Sequence, residues 1–241
     1  MMATNHDFII GPTDTDSVSF SKADMSEFSK EERDLLLKEI NELSPEFIEW
    51  EDDGYYEVCI VLKAKNYVLW DGKKKTVKGS SLKDGKSPPI LKKFKQDVID
   101  LLIDDKQSEL ITLYHSYVKQ TFNIQDITPW AKKLTITDKI TGCVGHETLS
   151  KEEKKEKGLR KNETDVYDAL KGRYVQEGDK ILVYFNNNNG LSMVQDWDGT
   201  YDQDALLKNL YSSMQIFGNI IDMEQFLNYT LKRNKKVLET L

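Results

Sequence analysis

Two consecutive prolines, Pro88 and Pro89, mark the sharpest change of pattern in this 241-residue chain. Before them, short β-prone runs are separated by turn residues. After them, apolar residues recur at helical spacing: Ile90, Leu91, Phe94, Val98, Leu101 and Leu102. Proline cannot donate to a ladder but is tolerated in the first turn of a helix, so a pattern can change from strand to helix at such a pair. The chain is therefore expected to be α+β. Residues 1–87 should form an antiparallel sheet with a helix, and residues 88–241 a mostly helical domain with a small β-hairpin.

Within the first part, Phe8–Ile10 and Val18–Phe20 flank a turn-rich centre and predict a hairpin with acidic residues at or near its tip. Ser29 followed by Glu32 is a capping box, and Leu35, Leu36, Ile40 and Leu43 mark the apolar face of the helix it starts. Strands are expected over 55–62, 66–70 and from Thr76, with Asp71-Gly72 as a turn. Within the second part, helices are expected over 110–122, 164–170, 203–217 and 222–239. A strand should run over 179–185, turn at 186–190 and return over 191–194. The charged stretch 150–162 reads as a solvated helix or loop.

Charge is unevenly spread. Residues 1–53 carry fifteen acidic and four basic side chains, whereas residues 63–95 carry eleven lysines against Asp71 and Asp84. Such a lysine block can neutralise backbone phosphates, and it is equally the composition of a solubilising face. No run of 18 apolar residues is present, so no membrane partner is expected. The first residues lack a basic and an apolar region, so no secretory leader is expected. Two cysteines, Cys59 and Cys143, make no disulfide framework. A reducing, cytoplasmic location follows, and the sequons at Asn162 and Asn228 would be idle.

Asp14-Thr15-Asp16 is the sharpest chemical feature. Two carboxylates at i and i+2 on extended backbone project to one side and can jointly ligate a hard divalent cation. A pair of such ions clamps the attacking and leaving oxygens of a phosphoryl transfer. The same three residues are also ordinary turn chemistry. Downstream come Lys63-Ala64-Lys65-Asn66-Tyr67, a strand, a glycine turn, and Lys78-Gly79.

This ordered set resembles the C-terminal part of family B (alpha-like) DNA polymerases, whose palm carries a metal-binding Asp-Thr-Asp-Ser hairpin followed by a Lys-x-Tyr motif and a Lys-Gly element. The likeness continues in Glu177-Gly178-Asp179-Lys180-Ile181-Leu182-Val183-Tyr184 and in Ile221-Asp222 with Phe226 and Tyr229, which are similar to thumb motifs of that family. The resemblance implies that residues 1–87 are the C-terminal part of a palm and residues 88–241 a thumb. It implies that Asp16 is the essential ligand to two Mg²⁺ ions and Asp14 a supporting carboxylate, with Thr15 and Ser17 shaping the turn beside the nucleotide. Lys63, Lys65 and Tyr67 would approach the primer-template, and Lys78 and Gly79 would contact the duplex backbone.

Pro12-Thr13 stands where that family usually has an aromatic and a small residue, so the ladder should be weak at Pro12. The exonuclease, first palm motif and fingers of the family find no room in residues 1–13. The resemblance thus implies one chain of a polymerase split within the palm, working with a second chain that carries those parts, with primer-template DNA and dNTP, and with room for a sliding clamp or other processivity factor. A compact split gene would suit a virus or phage, placing the protein in host cytoplasm or nucleoid. The strand Phe8–Ile10 and the face of Leu35, Leu36 and Ile40 are candidates for the interface, or for the chain's own core. Two other functions stay open: a non-catalytic duplex-binding subunit, and a metal-dependent glycosyltransferase using Asp14 and Asp16. Cys143 and His146 have a metal-like spacing but lack two further ligands for structural zinc. His115 reads as a core or surface histidine and the four tryptophans as packing residues, and Lys78-Gly79-Ser80 lacks the spacing of a phosphate loop.

Overall fold

The computed structural model describes residues 8–14, 16–83, 85–141, 150–188 and 190–226. It is an α+β protein built on three small antiparallel sheets. The chain divides into two compact units, Met1–Lys83 and Asp84–Leu241.

The first unit opens with strands β1 (Phe8–Asp14) and β2 (Ser17–Lys22), paired as a hairpin. Helix α1 (Lys30–Leu43) starts at Ser29, whose hydroxyl accepts from the Glu32 N–H at 3.2 Å while the Glu32 carboxylate accepts from the Ser29 N–H at 2.7 Å. The box satisfies two of the N–H groups that a helix start leaves unpaired. The helix does not bury the face its spacing predicts. Leu36 is buried and Ile40 half-buried, but Leu35 is 58% and Leu43 71% exposed. In its last turn, Asn41 grips the backbone of Trp50, accepting from its N–H at 2.7 Å and donating to its carbonyl at 3.0 Å.

Three strands then form the second sheet in the order β3-β4-β5: β3 (Val58–Lys63), β4 (Asn66–Trp70) and β5 (Lys75–Lys78). Alternation sends Ile60 and Leu62 inward from β3 and leaves Val61 and Lys63 exposed. A one-turn helix, α2 (Ser80–Lys83), follows β5 directly.

In the second unit, α3 (Pro89–Ile103) begins at the double proline, and α4 (Leu110–Gln120) and α8 (Gln203–Gln215) pack with it. Phe94, Tyr114, Leu207, Leu210, Met214 and Phe217 are fully buried there. The expected hairpin gains a strand that the sequence reading misses: β6 (Lys132–Thr135), which pairs with β7 (Lys180–Phe185), itself paired with β8 (Leu191–Met193). Helices α5 (Asp138–Thr141) and α7 (Lys161–Leu170) cover this sheet, enclosing Ile136, Ile140, Val166, Leu170, Ile181 and Val183. Helix α6 (Lys151–Glu156) lies in the charged stretch and has no buried residue. In place of the start of a helix at 222, Met223–Gln225 make a single 3₁₀ turn capped by Asp222; Tyr229 and Asn228 lie outside the described residues.

Arg173 clasps Asp196 through both ends of its guanidinium, Nη1 donating to Oδ2 at 2.7 Å. These hydrogen bonds hold the Asp196 carboxyl below its usual value. The clasp therefore stabilises fully above the unfolded carboxylate range, near pH 4, and its contribution is lost as pH falls through the folded value. Asp196→Asn should make the acid loss of stability of this unit shallower below about pH 4. Urea unfolding at a series of pH values checks this, and superimposable acid limbs for the two proteins would contradict it.

Candidate nucleic-acid and metal site

The β1–β2 hairpin carries the carboxylates. Its ladder closes with Asp14 opposite Ser17, and Asp16 lies in the turn between them. Thr15 lies outside the described residues; Asp16 and Ser17 are exposed. Asp16 thus sits in a turn, not on extended backbone, and strand alternation does not set its direction relative to Asp14. The register shifts between Ile10 and Thr13, around the Pro12 that has no N–H to give. Among the described residues, no group of three or more His, Cys, Asp or Glu side chains could hold a metal ion. Two carboxylate ligands are, however, the number Mg²⁺ commonly takes from protein when phosphates and water complete its shell. The hard oxygens of Asp14 and Asp16 fit that donor chemistry.

One of the motif lysines reaches this hairpin. Lys65 Nζ lies 3.0 Å from Asp14 Oδ1, with the two side chains 71% and 36% exposed. Lys65 occupies the turn between β3 and β4 with φ +60°, a left-handed conformation that costs a residue with a Cβ roughly 1–2 kcal/mol. Lys63, exposed, is the last residue of β3, opposite Asn66. Tyr67 and Lys78 are directly opposite across β4 and β5, so their side chains stand on one face of the sheet, with Val61 opposite Tyr67 on its other side. Gly79 has φ +99°, and a Cβ there would fall 2.3 Å from Asn66 Oδ1 and 2.5 Å from the Lys65 carbonyl oxygen. Residues spread from 14 to 79 in the sequence therefore meet at one end of the first unit. The β4–β5 turn, at the opposite end of this sheet, carries Lys73 and Lys74, whose N–H groups donate to Asp71 Oδ1 at 2.8 and 2.6 Å.

Sequence reasoning passes over Asn66. It is buried at 6% exposure, donates from Nδ2 to the Ala64 carbonyl at 3.0 Å, and accepts at Oδ1 from the Ser81 N–H at 3.1 Å. The turn preference of asparagine was the signal available.

The motifs likened to a thumb serve as framework. Gly178, at φ +87°, and Asp179 shape the turn into β7, with Asp179 Oδ2 accepting from the Gln176 N–H at 2.7 Å. Ile181 and Tyr184 are buried, and Phe226 packs edge-on against Tyr114 at 5.6 Å. His115, half-buried on α4, has its pKa lowered by burial and then by Lys119. Trp130 is buried; Cys143 and His146 lie outside the described residues.

Two substitutions should move stability in opposite directions. Gly79→Ala meets a backbone oxygen and a buried amide at a positive φ, and should destabilise the first unit by about 2 kcal/mol. Lys65→Gly relieves a left-handed residue at the loss of an exposed ion pair worth less than about 1 kcal/mol, so it should be at least as stable as the natural chain. Thermal unfolding of both variants checks the pair, and a Gly79→Ala chain with an unchanged melting temperature would contradict the packing described.

No family model matches the chain. Over 97 residues it is 32% identical to a DNA polymerase of Archaeoglobus fulgidus, a stretch that covers 40% of this chain and 12% of that protein. The likeness supports a relation to DNA polymerase over part of the chain.

Proposed function

We propose that this chain is the small chain of a split family B DNA-directed DNA polymerase, contributing a palm hairpin with its duplex-contacting sheet and a thumb. The observation that carries the reading is the meeting of Asp14, Lys65, Tyr67, Lys78 and Gly79 at one end of the first unit. The partial likeness to a DNA polymerase supports it.

On this reading Asp14 and Asp16 hold Mg²⁺ at the primer terminus, together with carboxylates of a second chain that carries the rest of the palm, the fingers and the exonuclease. Two ions bound there would lower the pKa of the primer 3′-hydroxyl and neutralise charge at the reacting phosphate of the dNTP. Lys65 and Lys78 act as point charges toward backbone phosphates. Tyr67 offers a flat apolar surface with a polar tip against the primer strand. Gly79, lacking a Cβ, admits the Asn66 amide and the Lys65 carbonyl that fix the turn presenting Lys65. Exposed Ile9, Ile10, Leu35 and Leu43 offer apolar surface to the second chain. Among the described residues no helix is long and apolar enough to cross a membrane. A second reading, a duplex-gripping chain without catalysis, draws on the ion pair that neutralises Asp14 in this structure.

The chain alone should not extend a primer. Mixed with a chain bearing the rest of the palm and supplied with Mg²⁺, it should do so, and Asp16→Asn should reduce extension by at least about a hundredfold, the scale of losing one transition-state charge contact. Primer-extension assays decide it. Robust extension by the chain alone would contradict the split, and full activity of the Asp16→Asn complex would favour the non-catalytic reading.

A further inference from the structure

We infer that Asn66 is a positioning residue: its buried amide sets the backbone of Lys65 and thereby aims the lysine that the proposed function places against the duplex. The inference rests on the duplex-binding part of that reading.

Two peptide planes flank Lys65. The plane on its N-terminal side ends in the Ala64 carbonyl, which accepts from Asn66 Nδ2 at 3.0 Å. The plane on its C-terminal side ends in the Lys65 carbonyl, which lies against Gly79, only 2.5 Å from where a Cβ would stand. Orientation of these planes is what φ and ψ of Lys65 describe. The residue is held at φ +60°, a value lysine does not adopt without support.

Asn66 also reaches the opposite element. Its Oδ1 accepts from the Ser81 N–H at 3.1 Å, tying the β3–β4 turn to the first turn of the helix that follows Lys78-Gly79. At 6% exposure the amide has little access to water, and these protein bonds are what satisfy it. One side chain thus joins the two lysine motifs, which also meet through the pairing of β4 with β5 and the Lys65 carbonyl against Gly79. From the turn so fixed, Lys65 extends to within 3.0 Å of Asp14 Oδ1. Loss of the amide would free the Ala64–Lys65 peptide to flip and let the ammonium wander, although no charge would have been removed.

The experiment measures binding of the full chain to a short primer-template duplex over a range of salt concentrations. The proteins are the natural chain, Lys65→Ala, Asn66→Ala, the Lys65→Ala/Asn66→Ala double variant, and Asn66→Asp. The last keeps the acceptor for Ser81 N–H and loses the donor to Ala64. Lys65→Ala should weaken binding and lower the slope of log affinity against log salt by about 0.9, the value of one phosphate contact. Asn66→Ala and Asn66→Asp should lower the slope by a similar amount, which a purely structural role would not do. The double variant should bind no more weakly than Lys65→Ala. An unchanged slope in a folded Asn66→Ala chain overturns the role. So do losses in the two single variants that add in the double. Should Asn66→Ala melt below the assay temperature, the slope of Asn66→Asp decides by the same criterion. Absent or salt-independent binding by the natural chain would instead remove the duplex-binding reading, and this role with it; natural binding with an unchanged Asn66→Asp slope removes this role alone.

Discussion

The candidate site depends on how a two-stranded hairpin is held in place. Such a hairpin is at best marginally stable by itself in water, and among the described residues β1 and β2 pair only with each other. Their anchor is aromatic. Phe8 of β1 stacks on Phe20 of β2 at 5.1 Å, and Phe28, just ahead of α1, meets both rings edge-on at 5.6 and 5.8 Å. Each such pair contributes about 1 kcal/mol beyond the area it buries. Lys22, the last residue of β2, closes the arrangement: its ammonium lies 5.1 Å from the centre of the Phe28 ring and 2.8 Å from both Glu32 carboxylate oxygens. An exposed ion pair alone would add little. Here it fixes the end of the strand to the first turn of a helix whose N-terminus favours the same carboxylate. The carboxylate turn lies at the far end of the strands from this anchor, so its position is set by the stiffness of the ladder between them. The bulge at Gly11-Pro12 interrupts that ladder partway.

Elements with a local physical cause were legible in the sequence. The Ser29–Glu32 box needs only the spacing of two residues, and both of its hydrogen bonds form. Asp71-Gly72 and the β-prone run from Asn66 to Trp70 mark a turn and a strand whose limits fall where expected. Elements whose cause is non-local were not legible. Strand β6 was not expected, yet Leu134 and Ile136 alternate with Lys133 and Thr135, and pairing with β7 turns that weak period into a strand. Leu35 and Leu43 obey helical spacing but stay exposed, because periodicity says which side chains share a face and not what covers that face.

The candidate site divides the same way. Its residue types could be read from motif order, but their meeting depends on register. Tyr67 faces Lys78 because β4 and β5 pair without a shift, and a slip of one residue would send the two side chains to opposite faces. Asp16 lies in the turn, at the hairpin tip where acidic residues were expected, and not on the extended backbone that would have aimed it alongside Asp14. Asn66 occupies the unspecified middle position of Lys-x-Tyr, where nothing in the motif marks it. Its weight comes from burial and from two hydrogen bonds to backbone atoms two and fifteen residues away.

The contact between Lys65 and Asp14 has a consequence for how easily the site can change partners. Both side chains retain access to water, so their attraction is screened and is worth no more than about 1 kcal/mol. The backbone that presents Lys65 is, by contrast, held by a buried amide and a glycine contact that solvent does not weaken. Strong interactions therefore fix where the lysine starts, and a weak one fixes where its ammonium ends. A competing cation at Asp14, or a phosphate at Lys65, has little to displace, while the geometry that brought the two charges together stays in place.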